Sequence, residues 1–184
     1  MRYAPLGVEH SKNGALLIGK APHIAEFAWL NTMYPCLSAE EVAQLEMRLQ
    51  SSIPAEYKQF LMQCSNGLKL MVTTFSLYGS RASYNRTDFS LRYPFNIEDI
   101  QKNERPKNST SEMFFFGAYN YDLSKLYLNT TDNKVYYCKR YDVTPLKSWD
   151  SLNEMIVSEI ERIYTLFDEK GHQIDPSEPT TPIE

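Results

Sequence analysis

The sequence is poor in the residues that build common metal and redox sites. It holds three cysteines and three histidines in 184 residues, without a Cys-x-x-Cys, His-x-His or His-Glu-x-x-His spacing. Zinc sites draw their ligands from such clusters, and a disulfide framework normally has an even number of cysteines. We therefore expect no metal site, no cofactor and no disulfide framework.

Glycine and long apolar runs are also scarce. The chain has seven glycines and no phosphate-binding glycine motif, which argues against nucleotide binding by backbone amides. The N-terminal region offers one short apolar run, residues 15–18, which is too short for a signal-peptide core. A membrane helix needs about 20 apolar residues. We expect a cytoplasmic protein that does not enter a membrane.

Aromatic residues are plentiful, and the charge is mildly negative. Thirteen tyrosines and nine phenylalanines accompany a formal net charge of −4. The negative charge disfavours nucleic acid as a partner and suits a basic protein. The hydrophobic content of 42% predicts a single folded domain with a substantial core.

Two consecutive helices form the clearest local signal. Ser38 and Glu41 have the spacing of a capping box, and apolar residues follow at helical intervals. Ile53-Pro54 opens a second helix, which the Asn66-Gly67 pair closes. The apolar positions of the two helices are Val42, Leu45, Leu49, Tyr57, Phe60, Leu61 and Cys64. These positions predict two helices that bury one face each.

The remaining elements alternate between strand and helix patterns. Strands are predicted at 16–18, 68–78, 113–119, 125–129 and 134–141, and helices at 23–31, 95–102 and 148–169. Residues 130–133 form a turn between two strands of an antiparallel hairpin. We divide the chain into an N-terminal arm (1–36), a domain (37–170) and a Pro-rich acidic tail (171–184), disordered or draped on the domain.

The order of these pieces resembles the SUKH superfamily. The matching segments are Ile53-Pro54-Ala55-Glu56-Tyr57-Lys58-Gln59-Phe60-Leu61, Asn66-Gly67, Phe116-Gly117-Ala118, Lys125-Leu126-Tyr127-Leu128, Val135-Tyr136-Tyr137 and Ser148-Trp149-Asp150-Ser151-Leu152. The resemblance implies an α+β fold, with N-terminal helices on a mainly antiparallel sheet and a closing C-terminal helix. Bacterial members are typically immunity proteins, which implies a non-enzymatic protein that sequesters a cognate polymorphic toxin domain, such as a nuclease.

Two other functions remain open from the sequence. The superfamily also includes fungal cell-wall-synthesis regulators, which implies a regulatory scaffold as the alternative. A small cysteine hydrolase would use Cys64 with His10, His23 or His172, although a buried core thiol explains Cys64 better. The oligomeric state is left open.

Exposed aromatic and charged residues outside the matched segments are the candidates for partner binding. Tyrosine and arginine dominate the energetically important positions of protein interfaces. The candidates are Arg81, Tyr84, Arg86, Tyr119, Tyr121 and Asp122. Sheet packing is the competing explanation for Tyr119 and Tyr121, and solvation of a loop is the one for the arginines.

Overall fold

The computed structural model describes residues 2–85 and 87–182, in which nine strands form one sheet and four α-helices accompany it. Every strand pairs antiparallel with its sequence neighbour, so the sheet order is β1 to β9. The strands are β1 (Val8–His10), β2 (Leu16–Lys20), β3 (Trp29–Met33), β4 (Leu68–Leu70), β5 (Phe75–Leu77), β6 (Met113–Tyr119), β7 (Lys125–Asn129), β8 (Val135–Lys139) and β9 (Asp142–Trp149). The helices are α1 (Ala39–Leu49), α2 (Ala55–Gln63), α3 (Ile97–Lys102) and α4 (Leu152–Thr165). The predicted α+β class is confirmed.

The capping box at the start of α1 is formed as predicted. The Ser38 hydroxyl accepts from the Glu41 amide at 3.2 Å, and the Glu41 carboxylate accepts from the Ser38 amide at 2.8 Å. Both bonds satisfy amide groups that a helix N-terminus otherwise leaves unpaired. The predicted apolar positions of α1 are buried, so the helix begins and packs as its sequence indicates.

Helix α2 is joined to the sheet through Tyr57. The Tyr57 ring is fully buried and lies 4.8 Å from the Phe116 ring and 5.9 Å from the Phe114 ring. Its hydroxyl donates to the carbonyl oxygens of Tyr78 and Phe116. A buried tyrosine normally needs such an acceptor for its hydroxyl. Tyr57 therefore fixes α2 against the centre of the sheet.

Helix α4 packs on the same face of the sheet as α2. The Tyr119 hydroxyl of β6 donates to the Glu159 carboxylate of α4 at 2.7 Å, and the Glu56 carboxylate of α2 accepts from the Leu152 amide at 2.8 Å. We call this covered surface the helical face.

The opposite surface, here called the open face, is defined by the pairing register. Lys69 pairs with Ser76, Ser76 with Ala118, and Ala118 with Lys125. Side chains of directly paired residues in antiparallel strands point to the same side of a sheet. Since Tyr119 points to the helices, its neighbour Ala118 and the whole row point away from them.

A bulge in β6 makes room for α3 beside the sheet. The β6–β7 register shifts between Phe115 and Gly117, and β5 pairs only with residues 117–119 of β6. Along the first half of β6, the Gln101 amide of α3 donates to the Phe115 carbonyl at 2.7 Å. A Cβ at position 117 would lie 2.9 Å from the Ser76 carbonyl oxygen, so glycine is required for this close strand approach.

Two predicted elements are corrected. No helix forms over 23–31, because Trp29–Met33 pairs with β2 and β4 instead. Ile24 and Phe27, which were expected on the buried side of a helix, are exposed. The closing helix begins at Leu152 with Ser151 as its N-cap, and residues Asp142–Trp149 form β9.

The tail packs onto the domain over its described part. Thr180 and Thr181 are buried, and their carbonyl oxygens accept from the Arg162 guanidinium at 2.8 and 3.4 Å. The described part of the tail is therefore draped on the domain, which is one of the two outcomes that the sequence left open.

Candidate functional site

A cavity of about 900 Å³ lies on the open face. Its floor includes Ser76, Ala118 and Lys125, which are neighbours across β5, β6 and β7. We call it the open-face cavity. The size is in the range of sites that hold small ligands or a few side chains of a partner.

The wall formed by α3 and its flanking residues is anchored at its start by Asn66. The Asn66 side chain donates to the Ser80 carbonyl at 2.9 Å and accepts from the Ser80 amide at 2.7 Å. A Cβ at Gly79 would lie 2.2 Å from the Asn66 carbonyl oxygen, so only glycine fits beside it. The Asn66-Gly67 motif thus positions the connection that walls the cavity, whereas α2, which it was predicted to close, ends at Gln63 with Cys64 as its C-cap.

The opposite wall is the β8–β9 turn, which presents Arg140 and Tyr141. The two walls are joined outside the cavity by Asn108. Its side chain donates to the Asp142 carboxylate at 3.0 Å and accepts from the Val143 amide at 3.2 Å. These bonds hold the walls in a fixed relation to each other.

The lining has more cations than carboxylates. Lys125, whose side chain is 4% exposed, pairs with Glu104 at 3.1 Å. Arg81 pairs with Asp99 at 3.4 Å. Three further cations line the cavity and have no carboxylate partner within residues 2–85 and 87–182; they are Arg105, Lys107 and Arg140. The described lining therefore has an excess of three positive charges.

Arg105 is held in place by neutral groups. Its guanidinium donates to Gln101 at 3.3 Å, to Ser109 at 3.2 Å and to the Thr110 carbonyl, and it lies 5.2 Å from the Phe115 ring centroid. Partial burial lowers the pKa of Arg105. None of these contacts neutralises its charge, which stays available to an anion in the cavity.

Ser76 has an unsatisfied hydroxyl on the cavity floor. The residue is 2% exposed, and its hydroxyl has no hydrogen-bond partner in the part of the chain that the structure describes. Buried polar groups are paired in the large majority of cases, because an unpaired one costs about 1–3 kcal/mol.

A smaller cavity of about 240 Å³ adjoins the first one and shares Arg81 and Phe95 with it. Lys69 lines this side cavity, donates to the Tyr93 carbonyl at 3.1 Å and lies 4.4 Å from the Phe95 ring centroid. Burial, with the nearby charges of Arg81 and Arg92, lowers the pKa of Lys69 to about 8. The positive lining therefore continues beyond the main cavity.

The structure brings two of the predicted partner-binding residues together at the cavities. The Arg81 guanidinium lies 4.4 Å from the ring centroid of Tyr84, which is 51% exposed. Arg86 lies outside the described residues. Tyr121 is 59% exposed, and Asp122 is exposed in the β6–β7 turn, where it accepts from the Ser124 amide at 2.9 Å.

Tyr119 is placed in the core, which corrects its expected exposure. It is fully buried, contacts the rings of Phe75 and Tyr137, and bonds to Glu159. Burial raises the pKa of the Tyr119 hydroxyl well above its usual value. The side chain is part of the helical face and is not available to a partner.

Sequence reasoning missed the cations of the floor and the far wall. Lys125 begins a strand of buried residues, and a lysine in that position signals either an ion pair or a functional site. Arg140-Tyr141 combines the two residue types that favour interfaces at a turn, which was a usable signal. These residues meet α3 because of the bulge in β6. No local sequence pattern indicates that bulge.

Cys64, the nucleophile of the hydrolase alternative, is exposed at the end of α2 and is not the core thiol that was expected. Among the described residues no hydrogen bond joins Cys64 to a histidine; the His23 and His172 rings contact each other at 4.1 Å instead. Cys138 is buried, and burial raises the pKa of its thiol to about 12.

Across residues 2–85 and 87–182, no group of three potential ligands is arranged to hold a metal ion. No helix in the same ranges has the length and apolar composition needed to cross a membrane.

The comparison with protein families gives a match. No curated protein matches the chain. The model of the SMI1 / KNR4 family (SUKH-1) matches residues 36–158, from the segment before α1 into α4. This range covers more than half of the chain and includes α1–α3, the start of α4, the strands β4–β9 and both walls of the open-face cavity. The chain therefore belongs to the SMI1 / KNR4 (SUKH-1) family.

Proposed function

We propose that this chain is a non-catalytic immunity protein of the cytoplasm that sequesters the toxin domain of a cognate bacterial polymorphic toxin. The observation that carries the proposal is the open-face cavity, a concave surface with a charged lining and exposed aromatic residues around it. Family membership supports protein binding, and the cavity lies on the face of the sheet opposite to the one that α2 and α4 cover.

The rim of the cavities has the composition of a protein interface. Tyr84, Phe89 and Tyr141 are 51%, 67% and 73% exposed, and Leu123 is 39% exposed. Protein interfaces are enriched in aromatic residues and arginine, and their strongest contacts seat such residues in pockets. A partner that inserts a segment between the walls would bury these side chains.

The chain would inhibit the toxin by steric blocking. The chain would cover the toxin's active site and add no chemical step of its own. Because the open-face cavity is walled by residues held through Asn66 and Asn108, little reorganisation would be needed on binding, which favours affinity.

Co-expression tests the proposal directly. The gene next to the one encoding this chain would be expressed in a bacterial host with and without the chain, and growth would be recorded. Growth arrest by the neighbour alone and rescue by the chain are expected. A neighbour that is harmless, or whose toxicity the chain does not relieve, contradicts the proposal.

The predicted contacts at the β6–β7 turn can be tested on the same pair. Tyr121→Ala or Asp122→Asn should weaken partner binding about tenfold or more while the melting temperature stays nearly unchanged. Asparagine keeps an oxygen that can accept from the Ser124 amide, so the turn is retained. Met47→Ala, at a residue of α1 that is 70% exposed, is the matched control. Unchanged affinity in both turn variants would place the interface elsewhere.

A further inference from the structure

The open-face cavity is positively charged in a chain whose net charge is negative. Its described lining has five cations and two carboxylates, whereas the whole chain carries −4. Charge on a concave wall acts on a ligand more strongly than charge spread over a convex surface, because the surrounding protein focuses the field. The cavity therefore attracts a negatively charged ligand, although the chain as a whole is negatively charged.

The two carboxylates are already engaged, and the three remaining cations surround the same space. Glu104 pairs with Lys125 and Asp99 with Arg81, so these four charges are balanced within the protein. Arg105 is fixed by neutral acceptors, Lys107 follows it in the chain, and Arg140 faces them from the β8–β9 turn.

The floor adds an independent sign that a polar ligand belongs here. The buried Ser76 hydroxyl lines the cavity and has no partner among the described residues. A hydroxyl can donate to a carboxylate oxygen of a ligand. Such a bond would satisfy a group that the described protein leaves unpaired.

We propose that the open-face cavity binds an acidic segment of the protein partner, with two or three Asp or Glu carboxylates placed between Arg105, Lys107 and Arg140 and one within reach of Ser76. This inference rests on the proposed function and specifies the partner's chemistry. Exposed apolar groups beside the cations, Leu123 and Tyr141, favour a polypeptide segment over a phosphate backbone, because they can contact its non-acidic side chains.

The test uses the full chain and needs no identified partner. A rhodamine-labelled hexaglutamate peptide is titrated with the protein at low ionic strength, and fluorescence anisotropy reports binding. A neutral Gly-Ser peptide of equal length and a single-stranded oligonucleotide are titrated in parallel. Saturable binding of hexaglutamate, with no binding of the neutral peptide and weaker binding of the oligonucleotide, is expected.

The variants then locate the site. The double variant Lys107→Glu/Arg140→Glu reverses two exposed cations of the cavity and should weaken hexaglutamate binding about tenfold, since an exposed ion pair contributes a factor of roughly two to five. Lys107→Glu/Lys170→Glu makes the same change in net charge with only one substitution in the cavity, and should weaken binding by about half as much on a logarithmic scale. Ser76→Ala should weaken binding severalfold without lowering the melting temperature.

Three results would overturn the inference. They are the absence of hexaglutamate binding, an equal loss in both double variants, and tighter binding of the oligonucleotide with the same sensitivity to Lys107→Glu/Arg140→Glu. The proposed function is judged separately by growth rescue. If Lys107→Glu/Arg140→Glu still rescues growth as the natural chain does, the acidic-segment inference fails and the immunity function stands.

Discussion

Phe60 is a core residue of α2, and its truncation should destabilise the fold. It is 8% exposed and its ring lies 5.5 Å from the ring of Tyr57. Phe60→Ala should lower the free energy of unfolding by about 3–5 kcal/mol, the usual loss on emptying a buried aromatic site. Trp149→Ala, at 4% exposure, should act similarly at the end of β9. Denaturant unfolding measures both losses, and a Phe60→Ala variant as stable as the natural chain would show that this face of α2 is not core.

The lowered pKa of Lys69 should make the stability of the protein depend on pH. Its pKa is lowered from 10.5 to about 8, chiefly by burial, so between these values the unfolded chain binds more protons than the folded one. The contribution of Lys69 to the free energy of unfolding therefore rises with pH across this window and is lowest below about pH 8.

Lys69→Met removes this dependence. The variant should gain most relative to the natural chain at neutral pH, and the difference should shrink steadily from about pH 8 to about pH 10. Loss of the bond to the Tyr93 carbonyl shifts the difference by a constant amount, and titration of the buried tyrosines cancels between the two proteins. Urea unfolding at several pH values measures the difference; a difference that does not vary with pH would contradict the assignment.

Local sequence chemistry predicts a residue's environment when its neighbours in the chain decide it. The capping box of Ser38 and Glu41 and the burial of Tyr57 follow from local spacing alone. Cys64 differs, because α2 ends at Gln63 and the cysteine turns out of the helical stripe. Tyr119 was ambiguous because a tyrosine at a strand end fits both an interface and the core, and the bond to Glu159 that decides it crosses forty positions of the chain.

At the level of elements, α4 holds the tail through a buried ion pair. Glu159 is fully buried, accepts from Arg162 and from Tyr119 at 2.7 Å each, and forms an ion pair with Lys147 at 3.7 Å. Arg162 also donates to the tail carbonyls of Thr180 and Thr181. Arg162 thus links α4 to the tail, and its partner Glu159 links α4 to β6 and β9.

Arg162→Ala should destabilise the protein by about 3–5 kcal/mol, because it leaves a buried carboxylate without its main partner. Adding Glu159→Gln should restore part of the loss, since an amide costs less than a charge to leave unpaired. Thermal and denaturant unfolding of the single and double variants measure this. If the double variant is less stable than Arg162→Ala alone, the cost does not come from the buried charge.

Elements with strong local signals were predicted, and those defined by pairing were not. Strands β6, β7 and β8 and helix α3 appear where their patterns indicate. Strand β9 was missed because Pro145 and alternating polar residues hide its pattern, and two register shifts against β8 accommodate them. The segment 23–31 has helical apolar spacing, yet pairing of Trp29–Met33 with β2 and β4 decides its conformation.

For the whole molecule, the distribution of charge matters more than its sum. The net charge of −4 favoured a basic partner, but the fold collects cations at the open-face cavity. The composition contains no information about this separation, since it arises when residues 95–112 and the β8–β9 turn meet over the sheet. The family resemblance implied helices packed on a mainly antiparallel sheet, without indicating which face of the sheet they cover.

Hydrogen–deuterium exchange of the complex tests most directly the proposal that the partner binds at the open face. With the proposed toxin partner bound, protection should concentrate in residues 95–107, the β6–β7 turn and the β8–β9 turn, which contribute to the lining of the open-face cavity. Exchange in the exposed surface of α1 and α4 should stay as in the free protein. Protection confined to α1 and α4, with the cavity walls unchanged, would contradict the account.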